Sequence, residues 1–277
     1  MKQYENKNKL KELVEKYHTY TAVAKTINVN EKTIARWAHK FNIPSIGSQG
    51  ARKYNLDENF FKKIDTNTKA YWLGFLMADG CVYKNDDKKS YRLQINLAYS
   101  DIEALEKFNN AIKSNYPIRK VSVLNKKTEK TYTVAQLKIN CTVMCHDLIA
   151  LGVKPRKSLV CKIPYIEPML FSHFIRGYFD GDGCITKDAR GRWTASIVGG
   201  SPVLDMLKSY LSSYNIHSAI YDIKHSKAKS LEISNKFHIQ KFGQLLYKDA
   251  TTFYKRKFLK FQALDKFLSR QSDMAGQ

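Results

Sequence analysis

Two aspartates set the chemical question. Asp79 and Asp182 each precede a glycine, a cysteine and a β-branched residue, and each follows a run of aromatic, apolar and small residues: YWLGFLMADGCV at 71–82 and FIRGYFDGDGCI at 174–185. Both runs read as helices, which places each carboxylate in a last turn, where exposed carbonyls make the helix end negative and an acid is disfavoured. Each helix also carries small residues four apart, Gly74 and Ala78 in the first and Gly177 and Gly181 in the second. An interior glycine costs about 1 kcal/mol relative to alanine, and close backbone contact between two such faces is the natural compensation. If the helices pair in parallel, both carboxylates converge, and a cation between them relieves the repulsion. Hard oxygen ligands select Mg2+, or a related divalent ion such as Mn2+ or Ca2+, over zinc. Mg2+ held by few protein ligands keeps positions for water and phosphate oxygens, as phosphodiester hydrolysis requires. Gly80 and Gly183 are expected to close the helices in the left-handed conformation. Asp180 is matched by the apolar Met77 in the first copy, so a symmetric site cannot use it, and a solvated or locally hydrogen-bonded carboxylate is expected there.

The elements that must position these acids occur twice in one order. After the first aspartate come strands at CVYK and YRLQINLAY, a helix DIEALEKFNNAI, strands near IRKVSVL and TYTVAQLKI, and a helix over about 142–150. After the second come CITK, a strand at RWTASIVG, a helix VLDMLKSYLSSYN, strands near HSAIYDI and KSLEIS, and a helix FHIQKFGQLLY. The sequence thus predicts a duplicated α/β unit, residues 57–150 and 170–248, whose alternating strands expose one face. A proline-containing connection, 151–169, joins the copies, and 249–277 adds a basic, aromatic helix and a tail. In YRLQINLAY, Arg92, Gln94 and Asn96 stand opposite Leu93, Ile95 and Leu97; in the second copy Arg190, Arg192 and Thr194 alternate with Trp193 and Ala195. Such a face is either solvated or reads base edges, for which Arg and Gln are natural partners of guanine and adenine.

In a first domain of 1–42, residues 9–42 read as three short helices whose inner faces carry Leu10, Leu13, Val14 and Tyr17, then Val23, Ala24 and Ile27, then Ile34, Trp37, Ala38 and Phe41. A short helix, a tight turn and a basic helix with Lys32, Thr33 and Arg36 outward is helix-turn-helix organisation, or else a small three-helix bundle. Residues 43–56 carry Pro, Gly, Ser and basic residues without periodicity and predict a linker.

The charge weighs toward nucleic acid. Forty-seven Lys and Arg against 25 Asp and Glu give +22, an excess that attracts polyanions and binds them through counterion release. A membrane surface is the competing partner, but the basic residues are spread along the chain rather than along one amphipathic helix. No apolar run is long enough to span a bilayer and the start lacks a signal peptide, so a cytoplasmic, soluble protein is expected, an organelle or phage-infected host included. Five scattered cysteines argue against a disulfide framework, and Cys141-x3-Cys145-His146 reads as buried thiols rather than a metal site.

WLGFLMADG (72–80) and IRGYFDGDG (175–183) resemble the nine-residue LAGLIDADG motif, keeping Gly at the third and ninth places and the penultimate Asp. The chain resembles a monomeric, two-motif LAGLIDADG homing endonuclease with an added N-terminal helix-turn-helix domain. The resemblance implies an α+β fold: two pseudo-symmetric αββαββα halves forming a saddle on double-stranded DNA, with the motif helices between them. It implies a divalent ion on Asp79 and Asp182, helped by the carbonyls of Ala78 and Gly181, cleavage of both strands with short 3′ overhangs, and mobility of an intron or other host element. Members use a basic and a polar residue in each half to order the attacking water. Internal alignment offers Lys236 for the basic role in the second half, with a phosphate contact as the alternative. Thr142 aligns with it in the first half, where Lys138 substitutes, and Asn96 offers the polar role. The rivals are a non-cleaving DNA-binding regulator and a maturase acting on intron RNA. An intein is disfavoured by the start at Met1 without a splicing Cys or Ser and by the end in MAGQ.

Overall fold

The computed structural model describes residues 2–44, 54–85, 90–125, 129–153 and 163–275. Most of the expected linker and the middle of the inter-copy connection, with Cys161, lie outside the described residues. The chain divides into two compact units, Met1–Asn55 and Leu56–Gln277.

The first unit holds α1 (Lys7–Tyr17), α2 (Tyr20–Thr26) and α3 (Glu31–Lys40). Each begins at a side-chain cap: Asn6 accepts from the amides of Asn8 and Lys9, Thr19 from Ala22 and Asn30 from Lys32. These oxygens satisfy amides that the first helical turn leaves without partners. Leu10, Val14, Val23, Ala24, Ile34, Ala38 and Ile43 form the core. Lys32, Arg36, His39 and Lys40 remain exposed along α3.

In the second unit, α4 (Asn67–Ala78) leads into β1 (Gly80–Asn85), β2 (Ser90–Ala98), α5 (Ile102–Ala111), β3 (Ile118–Asn125), β4 (Lys130–Ile139) and α6 (Thr142–Ala150). The order then repeats as α7 (Pro168–Asp182), β5 (Gly183–Lys187), β6 (Trp193–Gly199), α8 (Ser201–Ser213), β7 (Ala219–Asp222), β8 (Lys229–Ile233) and α9 (Lys236–Tyr247), before a last helix, α10 (Lys255–Ala275). Each half forms one antiparallel four-stranded sheet, ordered β1-β2-β4-β3 and β5-β6-β8-β7. Leu93, Ile95, Leu97, Leu137 and Ile139 of the first sheet, and Trp193, Ala195, Ile197, Leu231 and Ile233 of the second, are buried. Helices α5, α6, α8 and α9 cover these faces.

Residues Ala70 to Met77 are all buried, which explains why α4 shows no polar face. In α10, Tyr254 at its entry, then Lys257, Phe261, Leu264 and Leu268 form one buried stripe. That helix packs on α9 and β5, and the Lys260 ammonium donates to the Ile185 carbonyl at 2.8 Å, occupying backbone on the outer strand of the second sheet.

Candidate functional site

Helices α4 and α7 meet backbone to backbone. A methyl placed on Gly74 would lie 2.0 Å from the Phe174 carbonyl oxygen and 2.9 Å from the Tyr178 nitrogen. On Gly177 it would lie 1.9 Å from the Tyr71 carbonyl oxygen and 2.9 Å from the Phe75 nitrogen. Each glycine thus meets the residues three before and one after the other glycine, so the crossing has two-fold pseudo-symmetry. Nearer the acidic ends, the same construction on Gly181 falls 2.3 Å from the Ala78 Cβ and 3.2 Å from Asp79 Oδ2. The Asp79 carboxylate therefore reaches the opposite motif helix. Asp79 caps α4 and Asp182 is the last residue of α7, and both are half-buried.

The glycines after the aspartates differ from expectation. Gly183 has φ −93° and ψ 159°, an extended conformation, and Gly80 is not among the positive-φ glycines. Space explains them instead. A methyl on Gly80 would lie 2.8 Å from the Leu76 carbonyl oxygen, and on Gly183 2.2 Å from a ring carbon of Phe179. Both helices run straight into a strand, and only the missing side chain lets that strand leave so close to the last turn.

Asp180 is also corrected. Instead of being solvated, it is fully buried, and its Oδ2 accepts from the Tyr71 hydroxyl at 2.9 Å and the Tyr254 amide at 2.8 Å. Burial pushes its pKa up to about 6, against the pull of those two hydrogen bonds and of Lys257 and Arg176. Tyr71 stands on α4 immediately before the first motif, so this bond ties the halves together. Arg176 is buried as well, donating to the carbonyls of Thr252 and Leu246 and holding the α9–α10 connection against α7.

Lys257 is the residue that sequence reasoning misses. Its ammonium, buried to 4% exposure, donates to the carbonyls of Phe179 at 2.6 Å and Asp180 at 2.7 Å, with Gly181 at 3.4 Å. A cation at a helix C-terminus complements the helix dipole. Burial lowers its pKa to about 8, opposed first by Asp180 and also by Asp79. The signal is present in the sequence: Lys257 stands in the apolar stripe of α10, where a lysine has to find partners inside. Lys257→Met is expected to cost about 2–4 kcal/mol, because it strands buried carbonyls and deprives the Asp180 carboxylate of a buried cation. Urea unfolding would measure this, and an unchanged midpoint would contradict it.

Comparison with known proteins adds the family. Residues 172–247 match the family model of the LAGLIDADG-like domain. This segment is a LAGLIDADG-like domain. No curated protein sequence matches the chain. Among solved structures, a single-substitution mutant of I-SmaMI superposes with a TM-score of 0.52 at 13% identity, over 74% of this chain and 92% of its own. The homing endonuclease I-WcaI bound to its DNA recognition sequence gives 0.51 at 14%, over 74% and 91%. Full-length DUF199/WhiA from Thermatoga maritima gives 0.48 at 18%, over 78% and 65%. At these identities the first two likenesses establish the fold, two LAGLIDADG halves with one sheet each.

Within that LAGLIDADG fold, sheet register places the other site residues. Gly80 pairs with Ile95, so Asn96, the next residue of β2, lies at the end of β1 where Asp79 closes α4. Gln136 lies across from Asn96, and its Nε2 donates to Asn96 Oδ1 at 2.9 Å. Cys81, Gln94 and Lys138 form the adjacent row, with Lys138 two strands across from Cys81. The second half differs: Gly183 pairs with Ile197, so Val198 stands at the end of β5 that Asp182 enters, and the next row is Cys184, Ser196 and Glu232. Lys236 does not join Asp182. Ile233 pairs through Ala195 with Ile185, and Lys236, three residues beyond the strand, opens α9. Its ammonium donates to Gln271 Oε1 at 2.5 Å, in a cleft it lines with Arg190, Arg192, Trp193 and Thr194. Arg190 and Arg192 are off the strand; they stand in the turn before β6, where Arg192 pairs with Asp188 at 2.8 Å.

The groups expected at the helix ends are two carboxylates and the carbonyls of Ala78 and Gly181, all oxygen, and Asp79 Oδ2 stands beside Gly181, where a side chain would strike the Ala78 Cβ. Among the described residues no group of three or more His, Cys, Asp or Glu forms a metal cluster. That composition fits a hard divalent ion sharing its shell with water and phosphate, and not zinc.

Proposed function

We propose that this chain is a site-specific, metal-dependent DNA endonuclease that cuts both strands of a long duplex and acts as a monomer whose two halves share one site. The observation that carries the reading is that the Asp79 carboxylate reaches Gly181, the neighbour of Asp182, at the end of a backbone-to-backbone helix crossing. A divalent ion there would be held by those carboxylates with the carbonyls of Ala78 and Gly181. Bound, it would lower the pKa of a water and neutralise charge on the scissile phosphate. The chain's own residues do the rest. The crossing fixes the separation of the two acids, and Asn96, held by Gln136, can orient a water beside Asp79. Lys138 supplies positive charge in the first half. In the second half Lys257 holds the carbonyls that precede Asp182 and supplies the cation that Lys236 does not.

The outward sheet faces provide the duplex contact, from Arg92, Gln94 and Asn96 in the first half and Thr194 in the second, with Arg190 and Arg192 contacting phosphates from their turn. The first unit extends it: Lys32, Thr33 and Arg36 lie on the candidate recognition helix α3. Lys32→Ala with Arg36→Ala is expected to lower the slope of log affinity against log salt by about two, one counterion per lost phosphate contact. Filter binding at several salt concentrations would check it; an unchanged slope would remove the first unit from the interface. No helix of the described residues is long and apolar enough to cross a membrane.

A second reading is favoured by one observation. Lys257 already places a cation at the α7 end, which lets a non-cleaving DNA-binding protein keep its acids. Exposure of a random duplex library, with structured intron RNA as competitor, to the protein with Mg2+ separates the readings. Cut duplexes support the nuclease, enrichment of bound but uncut duplexes supports the regulator, and preference for structured intron RNA supports the maturase.

A further inference from the structure

The faces that the two sheets turn away from their helices differ position by position. In the first, Tyr83 pairs with Arg92, Gln94 with Lys138, and Asn96 with Gln136, which pairs in turn with Arg119. The equivalent places in the second hold Thr186 with Thr194, Ser196 with Glu232, and Val198 with Ser230 and Tyr221. The first set contains Arg92, Lys138 and Arg119 and no acid; the second contains no cation and the carboxylate of Glu232. A carboxylate is repelled by phosphate, so Glu232 on a DNA-facing row is suited to a base-edge donor rather than to the DNA backbone.

The hydrogen bonds sharpen the contrast. Asn96 Oδ1 accepts from Gln136 Nε2 at 2.9 Å and from Gln94 Nε2 at 3.3 Å. With Asn96 turned to the water beside Asp79, the outward capacity left is the second Nε2 hydrogen and the Oε1 acceptor of Gln94, which matches the N7 acceptor and N6 amino donor of adenine. Arg92, stacked 5.6 Å from the Tyr83 ring centroid, is positioned to offer its fork to guanine. On the second sheet Glu232 Oε1 accepts from Ser230 Oγ at 3.2 Å, which leaves Oε2 as an acceptor for the N4 amino group of cytosine. The methyls of Thr186, Thr194 and Val198 flank it and suit thymine.

We infer that the two sheets read chemically different half-sites: guanine and adenine edges under the first, cytosine and thymine edges under the second, with Glu232 as the residue that selects cytosine. This inference rests on the DNA-binding reading above but not on cleavage.

Selection of bound duplexes from a random library, in Ca2+ so that binding alone is scored, tests it. The wild-type consensus should be non-palindromic and hold one C·G pair fixed in the half-site opposite the guanine- and adenine-rich half. Glu232→Gln should shift that single position from cytosine toward adenine, changing the preference by about tenfold or more. Gln94→Ala should alter only the other half-site, which controls for loss of fold, with a thermal melt of each variant. A palindromic consensus, or a Glu232→Gln consensus identical to wild type, would overturn the inference while leaving DNA binding intact. Failure to enrich any duplex would overturn both.

Discussion

Gly177→Ala is expected to destabilise the second unit by about 3 kcal/mol or more, although alanine is the better helix former by about 1 kcal/mol. The added methyl would lie 1.9 Å from the Tyr71 carbonyl oxygen and 2.8 Å from its carbon. Overpacking in a core costs about 1–3 kcal/mol where side chains can yield. Here the obstacle is the backbone of a helix with eight consecutive buried residues, so the helices must part and the core opens along the crossing. Gly74→Ala meets the Phe174 carbonyl at 2.0 Å and should behave alike. Chemical unfolding of both variants would show it. A midpoint at or above that of wild type for either would mean that the helices do not meet backbone to backbone.

The second large effect is on chemistry. Asp79→Asn and Asp182→Asn are each expected to reduce cleavage about a thousandfold or more, the scale on which loss of one group stabilising transition-state charge acts. Asparagine keeps the shape and the half-buried setting, so the fold should persist. Removing a negative charge beside phosphate should also leave DNA affinity unchanged or raised, because each aspartate repels the backbone it faces until a cation intervenes. A variant that loses binding in proportion to cleavage would point to a structural role for the carboxylate instead.

Much of this arrangement is legible in the chain. The repeated Asp-Gly after an apolar run, the small residues four apart and the alternation of Leu93, Ile95 and Leu97 are local patterns, and each has a local physical cause. The element order of both copies follows from the same periodicities. What cannot be read there depends on residues distant in sequence. Asp180 is buried because Tyr71 and Tyr254 close over it, and neither neighbours it in the chain. Gly80 and Gly183 look like left-handed caps because glycine usually ends helices that way, whereas here Leu76 and Phe179 crowd the exit. Internal alignment sets Lys236 against Thr142, and only the register between β8 and β6 shows that it lies along the sheet from Asp182. Lys257 is hidden among Lys255, Arg256 and Lys260, and its place in the stripe of Phe261, Leu264 and Leu268 is the available clue. The equivalence of Lys138 and Glu232 is present in the internal alignment, but its meaning needs both residues on outward rows.

The central claim is that the paired aspartates make this fold a nuclease. Its most direct test is a time course on one selected duplex, comparing wild type with Asp79→Asn and Asp182→Asn in Mg2+ and in a chelator, with binding measured in parallel. Wild type should cut both strands at one place in Mg2+ only, while both variants bind the duplex and leave it whole. Cleavage by a variant at the wild-type rate, or wild type that binds the duplex in Mg2+ and never cuts it, would contradict the account.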